Sequence, residues 1–125
     1  MRGIYINYRQ EDAEGQAGRL FDDLSAHFGP DGVFMPRGRT TSFPGIKKGL
    51  DFRRSIEEYV TSCGVLLVMI GKWWLSATDS TGKRRLDNPN DFVRLEIATA
   101  LSRDIPVVPV LVHDAVMPTD DQLRT

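Results

Sequence analysis

Two stretches of the chain are apolar along their whole length, and they constrain the fold more than any other feature. Residues 64–70 read GVLLVMI and residues 105–112 read IPVVPVLV. A strand with one face in water alternates apolar and polar residues, whereas a strand covered on both faces of a parallel sheet is uniformly apolar. Both stretches are therefore predicted to be buried strands of a parallel sheet, and Pro106 and Pro109 place the second towards an edge or a bulge.

The segments around these two strands alternate between strand-like and helix-like patterns. Residues 3–8, GIYINY, are rich in β-branched and aromatic residues, and the next segment repeats its apolar residues at helical spacing until Gly29-Pro30 closes it. Asn88 is a good helix cap, Pro89 suits the first helical position, and Asp91 suits the first turn. The remaining predicted elements are a strand over 3–8, a helix over 13–28, a strand over 32–35, a helix over 51–60 and a helix from Asn88 to about Arg103.

The order of these elements predicts an α/β fold of the flavodoxin-like, doubly wound type, with a parallel sheet flanked by helices. We expect a single domain over residues 1–125, with the last strand and helix of such a fold missing after Thr125. Ligands of these folds collect outside the carboxyl ends of the strands. The loops after Tyr8, Met35 and Ile70 are therefore expected to share one rim.

Charge and composition exclude several classes of function. The chain has 16 Lys and Arg against 17 Asp and Glu, so its net charge is -1 and no overall field attracts nucleic acid or a membrane surface. No signal peptide and no run of roughly 20 apolar residues is present, so we expect a soluble, cytoplasmic protein. Cys63, His27 and His113 are too scattered for a zinc site, and no metal site is predicted.

Glu96 is the most informative polar residue, because it lies within the apolar arc of its predicted helix. At about 100° per residue it falls between Phe92 and Ala100. Burying a carboxylate costs several kcal/mol unless it is paired or reaches a polar cavity, so this position is a candidate site. From spacing alone, an ion pair with Arg9 or Arg53 remains the commoner explanation. In a site, a carboxylate could stabilise the oxocarbenium charge that develops when an N-glycosidic bond breaks.

Other polar and aromatic features allow two interpretations each. Arg9, beside Tyr8 at the end of the first strand, could face a phosphate or could be solvated or paired. Trp73 and Trp74 could stack on a nicotinamide or adenine ring, or pack against the sheet. The long loop of residues 36–50 could bind phosphates or a neighbouring subunit, or be a solvated, mobile loop; its basic residues are Arg37, Arg39, Lys47 and Lys48.

Five segments carry a family resemblance over nearly the whole chain. They are INYRQEDAEGQAGRLFDDLSAHFG, VFM, GLDFRRSIEEYVTSCGVLLVMIGKWWL, RRLDNPNDFVRLEIATALSR and IPVVPVLV. In this order they resemble bacterial Toll/interleukin-1 receptor (TIR) domains. No single segment is decisive, but the run of them is specific.

The resemblance implies a function and a set of site residues. It implies cleavage of the nicotinamide-ribose bond of NAD, with Glu96 matching the catalytic glutamate of NAD-cleaving members. NAD is then a substrate, and no cofactor is implied. TIR enzymes generally work as assemblies in which a neighbouring subunit completes the pocket. The residues that the resemblance places at the nucleotide are Tyr8, Arg9, Phe34, Trp74 and Phe92.

The chain also departs from the family pattern. Bacterial relatives usually have an acidic residue and a short Pro-Pro-Gly loop after the second strand, whereas this chain has Pro36 and a longer basic insertion. Asn7 stands where a small serine is usual.

Two functions follow as alternatives. The first is an NAD glycohydrolase that releases nicotinamide and ADP-ribose or a cyclic ADP-ribose in bacterial immune signalling. The second is a non-catalytic module that assembles through TIR-TIR contacts and joins a sensor domain or partner protein. A phosphoacceptor receiver domain is excluded because the third strand ends in Met69-Ile70-Gly71 without an Asp. Nicotinamide-dependent redox chemistry and nucleoside-triphosphate hydrolysis are not expected, because neither a Gly-x-Gly-x-x-Gly nor a Gly-Lys-Ser/Thr loop follows the first strand.

Overall fold

Four parallel strands form the centre of the molecule in a computed structural model that describes residues 3–36, 50–88, 91–113, 115–119 and 122. The strands are β1 (Gly3–Asn7), β2 (Val33–Phe34), β3 (Cys63–Ile70) and β4 (Val107–Leu111). Their order across the sheet is β2-β1-β3-β4, so the chain winds outwards in both directions from the β1–β3 pair. This is the predicted doubly wound α/β sheet, consistent with a flavodoxin-like fold, and its switch point lies between β1 and β3.

Helices cover both faces of the sheet. The helices are α1 (Gln10–Phe28), α2 (Leu50–Thr61) and α3 (Phe92–Ser102). Ala13 and Ala17 of α1 belong to one buried cluster, whereas α2 and α3 contribute to a second cluster on the opposite face. Helix α1 starts a turn earlier than predicted, and Ala13 interrupts its regular geometry with φ -144° and ψ 26°. It ends as predicted at Gly29, whose φ of +90° favours glycine.

Strand β1 divides its side chains between the two buried clusters. Tyr5 packs in the cluster under α2 and α3, while Ile6 and Tyr8 pack in the cluster under α1. Successive residues of a strand point to opposite faces, so Tyr5, Asn7 and the position that follows β1 at Arg9 lie on the α3 side. This alternation decides which polar side chains of β1 can meet α3.

Strand β4 lies at the edge of the described sheet, as its prolines predict. The prediction that β4 is buried is wrong: none of its residues is buried, and Val108 and Leu111 are 44% and 47% exposed, because an edge strand has a neighbouring strand on one side only. Leu66 N donates to Pro106 O and Val112 N donates to Ile70 O, so the backbone N–H and C=O groups of the even-numbered residues of β4 point towards β3. Pro109 then directs its nitrogen to the outer side, where its missing N–H removes no bond from the β3–β4 ladder. The proline therefore suits an edge strand and does not require a bulge.

The prediction that Asn88 caps the third helix is wrong. Residues Arg85–Asp87 form a short 3-10 turn, and the N-cap is Asp91, whose side chain accepts a hydrogen bond from Arg94 N at 3.1 Å. Asp91 is favoured because its carboxylate also binds Arg9, a long-range contact that local capping rules do not include. Residues 89 and 90 lie outside the described residues.

Two kinds of feature are absent from the described ranges. None of the helices there is long and apolar enough to cross a membrane. Among the same residues, no group of three or more His, Cys, Asp or Glu could hold a metal ion. Cys63, the one cysteine of the sequence, is buried and its thiol donates to Val60 O at 2.9 Å. The basic residues of the loop, Arg37, Arg39, Lys47 and Lys48, and the side chain of Arg53 lie outside the described part of the chain.

Candidate active site

Glu96 lies in the middle of α3 with its side chain completely shielded from solvent, at 0% exposure. Its Oε1 accepts a hydrogen bond from Asn7 Nδ2 at 2.8 Å, and its Oε2 accepts one from the Tyr5 hydroxyl. Both donors are in β1, about ninety residues earlier in the chain. The apolar arc of α3 therefore packs on the sheet with the carboxylate inside it, and each carboxylate oxygen has a donor there.

Asn7 is held in one orientation by its neighbours. Its Nδ2 faces two acceptors, Glu96 Oε1 and Val93 O, the latter at 3.4 Å. A flipped amide would bring Oδ1 against these oxygens, so the hydrogen-bonding pattern assigns the orientation. Asn7 Oδ1 is buried and has no hydrogen-bond partner among the described residues. Leaving a buried acceptor unsatisfied costs about 1–3 kcal/mol, so this atom needs an explanation.

Arg9 continues the same side of β1 and anchors the start of α3. Its Nη1 and Nη2 bind the two oxygens of Asp91, both at 2.9 Å, in a forked ion pair whose side chains are 2% and 8% exposed. Arg9 Nε has no partner in the part of the chain that the structure describes. Arg94 adds a second anchor, because its Nη1 donates to Leu86 O at 2.9 Å. The first turn of α3 is thus tied both to the end of β1 and to the preceding turn.

These contacts form what we call the polar row: Tyr5, Asn7 and Arg9 on the β1 side, and Asp91 and Glu96 on the α3 side. The ion pair of Arg9 is made with Asp91, so the interpretation that Arg9 neutralises Glu96 directly is not supported by the hydrogen bonds of its guanidinium. Tyr5 and Asn7, which reasoning from the sequence missed as site residues, are neutral donors. Their signal was present as polar groups at every second residue of YINYR, which on a strand share one face.

The polar row is enclosed. Asn7 and Glu96 are fully buried, and Arg9 is nearly so. A cavity of about 340 Å³ lies elsewhere, in the connection between β3 and α3, and none of the polar row lines it. Its lining residues are Asp79, Thr81, Lys83, Arg84, Asp87 and Asn88. Glu96 is therefore closed to solvent in this structure, and a ligand can contact it only after a local rearrangement.

The predicted aromatic residues lie in different surroundings. Phe34 is 41% exposed. Its ring stacks on that of Tyr59 with 5.4 Å between the ring centroids, and its centroid lies 5.0 Å from that of Tyr5, so Phe34 adjoins the polar row. Phe92 is half-buried against the α2/α3 cluster, and Trp74 is buried within that cluster. Of the two tryptophans, Trp74 is therefore the one that packs in the core against the sheet, which is the second of the two interpretations given above.

Tyr8 and Trp73 are not part of the polar row. Tyr8 is on the opposite face of the sheet, in the α1 cluster, and its hydroxyl donates to Pro36 O. Trp73 is 55% exposed, with Lys72 Nζ 5.2 Å from its ring centroid. The structure thus places Arg9 within the polar row and Phe34 beside its Tyr5, but it places Tyr8 on the opposite face of the sheet.

Asp12 closes the switch point of the sheet, and sequence reasoning did not single it out. Its two carboxylate oxygens accept hydrogen bonds from Gly71 N at 2.8 Å and Trp73 N at 2.6 Å, joining the start of α1 to the loop after β3. A Cβ on Gly71 would lie 2.6 Å from Asp12 Oδ1, so the close approach requires glycine. The crevice that binds ligands in many doubly wound folds is therefore bridged here by the protein's own carboxylate.

Comparison of the sequence with protein-family models and with curated proteins gives no match.

Proposed function

We propose that this chain is an NAD glycohydrolase of the TIR type, with Glu96 as the catalytic residue, acting in bacterial immune signalling. One observation carries the proposal: a fully buried carboxylate on the apolar face of α3, held by two neutral donors of the central strand β1. A carboxylate in this position is costly for the fold, and strongly constrained buried acids are common at functional sites.

The chemistry suits a single carboxylate. As the bond between ribose C1′ and the nicotinamide nitrogen breaks, its electron pair neutralises the positively charged pyridinium ring, so the leaving group needs no proton. Positive charge then develops on the ribose, and a carboxylate close to it stabilises that charge. Attack of water on C1′ gives ADP-ribose and releases a proton, whereas attack by an adenine nitrogen gives a cyclic ADP-ribose.

The remaining proposed site residues differ in what they need in order to contact NAD. Phe34 already presents a half-exposed ring beside Tyr5, and it can pack on the nicotinamide or ribose. Arg9 can bind a phosphate once Asp91 releases it. Tyr8, Trp74 and Phe92 are proposed substrate contacts from the family resemblance, and Tyr8 and Trp74 are buried in this structure.

Opening of the polar row is part of the proposal. Separation of the α3 first turn from β1 requires loss of the Arg9–Asp91 ion pair, and a second subunit bound at the rim is a suitable trigger. Self-association through TIR-TIR contacts, control by a sensor domain or partner protein, and a cytoplasmic location all follow from this proposal.

The test is release of nicotinamide from NAD, followed by chromatography, at protein concentrations from micromolar to near the solubility limit. Glu96→Gln is the matched control, because it preserves the size of the side chain. We expect nicotinamide release to increase more than linearly with protein concentration and to disappear in the variant. Equal release by both proteins, or none from the unaltered chain even when assembled, would refute the proposal.

The enclosed position of Glu96 favours a second candidate function, that of a non-catalytic assembly module. In that case Glu96 only joins α3 to β1, and the chain acts by TIR-TIR association. Light scattering across the same concentration series distinguishes the two candidates: growth of assemblies without nicotinamide release supports the module.

A further inference from the structure

Asn7 has one more hydrogen-bonding atom than a structural role requires. Its Nδ2 joins β1 to α3 through Glu96 Oε1 and Val93 O. A structural tie needs only this donor. Asn7 Oδ1 is a buried acceptor with no partner among the described residues, although the side chain itself is fully buried and fixed in orientation.

The unused acceptor lies beside the carboxylate of Glu96, because Oδ1 shares its carbon with the nitrogen that binds Glu96 Oε1. Two acceptors next to each other match two hydroxyl donors on neighbouring carbons. We propose that Asn7 is a specificity residue that contacts the substrate: its Oδ1 accepts a hydrogen bond from one hydroxyl of a ribose diol while Glu96 accepts from the other. This inference rests on the proposed function for the choice of a ribose nucleotide as ligand.

Binding in this way satisfies the buried acceptor, and it imposes selectivity. A site that hydrogen-bonds a ligand hydroxyl discriminates strongly against an analogue that lacks it, because the buried protein groups are then left unpaired. The inference thus predicts that the chain distinguishes a ribose from a deoxyribose at the position facing Asn7 and Glu96. A residue that only tied β1 to α3 would give no such distinction.

The experiment is calorimetric titration of the full chain with ADP-ribose, with its analogues lacking the 2- or the 3-hydroxyl of the terminal ribose, and with ADP. In the unaltered chain, loss of either hydroxyl should weaken binding about tenfold or more, as expected for one lost hydrogen bond with an unpaired buried partner. In Asn7→Ala, loss of the hydroxyl that faces Asn7 should weaken binding less than twofold.

Tyr5→Phe is the matched control, since it removes the other donor to Glu96 but no acceptor for the ligand. It should weaken the binding of ADP-ribose and both analogues by a similar factor and so preserve the tenfold ratio. Circular dichroism and thermal unfolding report whether each variant folds. The ratio in the unaltered chain tests the inference even if Asn7→Ala does not fold.

The outcomes separate this inference from the proposed function. A ratio near one in the unaltered chain, a ratio that survives in Asn7→Ala, or ADP-ribose binding no tighter than ADP binding overturns the diol site. If the ratio behaves as expected and no nicotinamide is released from NAD, the diol site stands and the cleavage proposal fails. If nicotinamide is released but the ratio is near one, the cleavage proposal stands and the diol site fails.

Discussion

Replacing Glu96 by Ala and by Gln separates the structural contribution of this residue from its proposed catalytic one. In Glu96→Ala, the Tyr5 hydroxyl and Asn7 Nδ2 both lose a buried acceptor. Loss of a buried acceptor costs a donor up to about 1–3 kcal/mol, and removal of a buried carboxylate offsets part of that cost. The net expectation is a loss of about 2–4 kcal/mol in the free energy of unfolding, since breaking one side of a buried polar pair is seldom neutral.

Glu96→Gln should behave differently. The amide oxygen can still accept from Asn7 Nδ2, and the amide nitrogen can donate to the Tyr5 oxygen, which also accepts hydrogen bonds. Both contacts persist with one direction reversed, so we expect a change within about 1 kcal/mol. The charge needed to stabilise an oxocarbenium ion is lost, and NAD cleavage should fall at least about 100-fold.

The assay is urea and thermal unfolding, each followed by circular dichroism, combined with nicotinamide release from NAD. For a chain of this size, the alanine variant should melt roughly 10 °C lower and the glutamine variant within a few degrees of the parent. If Glu96→Ala is as stable as the unaltered chain, the enclosed hydrogen bonds do not contribute as argued. If Glu96→Gln retains cleavage, the carboxylate is not the catalytic group.

Three other perturbations test separate parts of the structure. Gly71→Ala puts a Cβ 2.6 Å from Asp12 Oδ1 and should destabilise the fold by about 1–3 kcal/mol in urea unfolding; a neutral result would contradict this close approach. Asp91→Asn retains a cap for α3 but leaves the buried Arg9 guanidinium without its carboxylate. We expect a loss of about 3–5 kcal/mol in the free energy of unfolding and faster amide exchange in the first turn of α3. Unchanged exchange would show that the Arg9–Asp91 pair does not anchor the helix. The hydrogen bond from the Thr81 hydroxyl is the largest cause that lowers the pKa of Asp79, and the bond from the Thr81 backbone N–H is the next. The lowered pKa stabilises the fold above the unfolded-state pKa of about 4, and this stability is lost as the pH falls through the lower folded-state pKa. Thr81→Val should therefore raise the pKa of Asp79 in a carboxyl NMR titration, and an unchanged pKa would refute the assignment.

Much of the fold could be predicted from local patterns. The uniformly apolar run of β3 identifies a strand that is largely covered on both faces, and helical spacing identifies α1 and α3. The run of β4 also forms a strand, but its apolar composition wrongly predicts burial, because β4 is an edge strand whose residues are partly or fully exposed. The capping rules predict the start of α3 three residues too early, at Asn88, because they consider only neighbouring residues. The cap is chosen by the contact between Asp91 and Arg9, which are 82 residues apart.

The sequence by itself determined the class of fold and marked Glu96 as a polar group on an apolar helical face, because both depend on periodicity along the chain. Only the tertiary structure decided what that carboxylate meets. Tyr5 and Asn7 are among the partners of Glu96, and Arg9 pairs with Asp91, because the pairing of β1 with β3 and the packing of α3 bring these groups together. The same packing separates Trp74, buried in the core, from Trp73, which is half exposed, although a single residue step distinguishes them in the sequence. The choice of partner depends on contacts between distant segments, and periodicity along one segment does not specify those contacts.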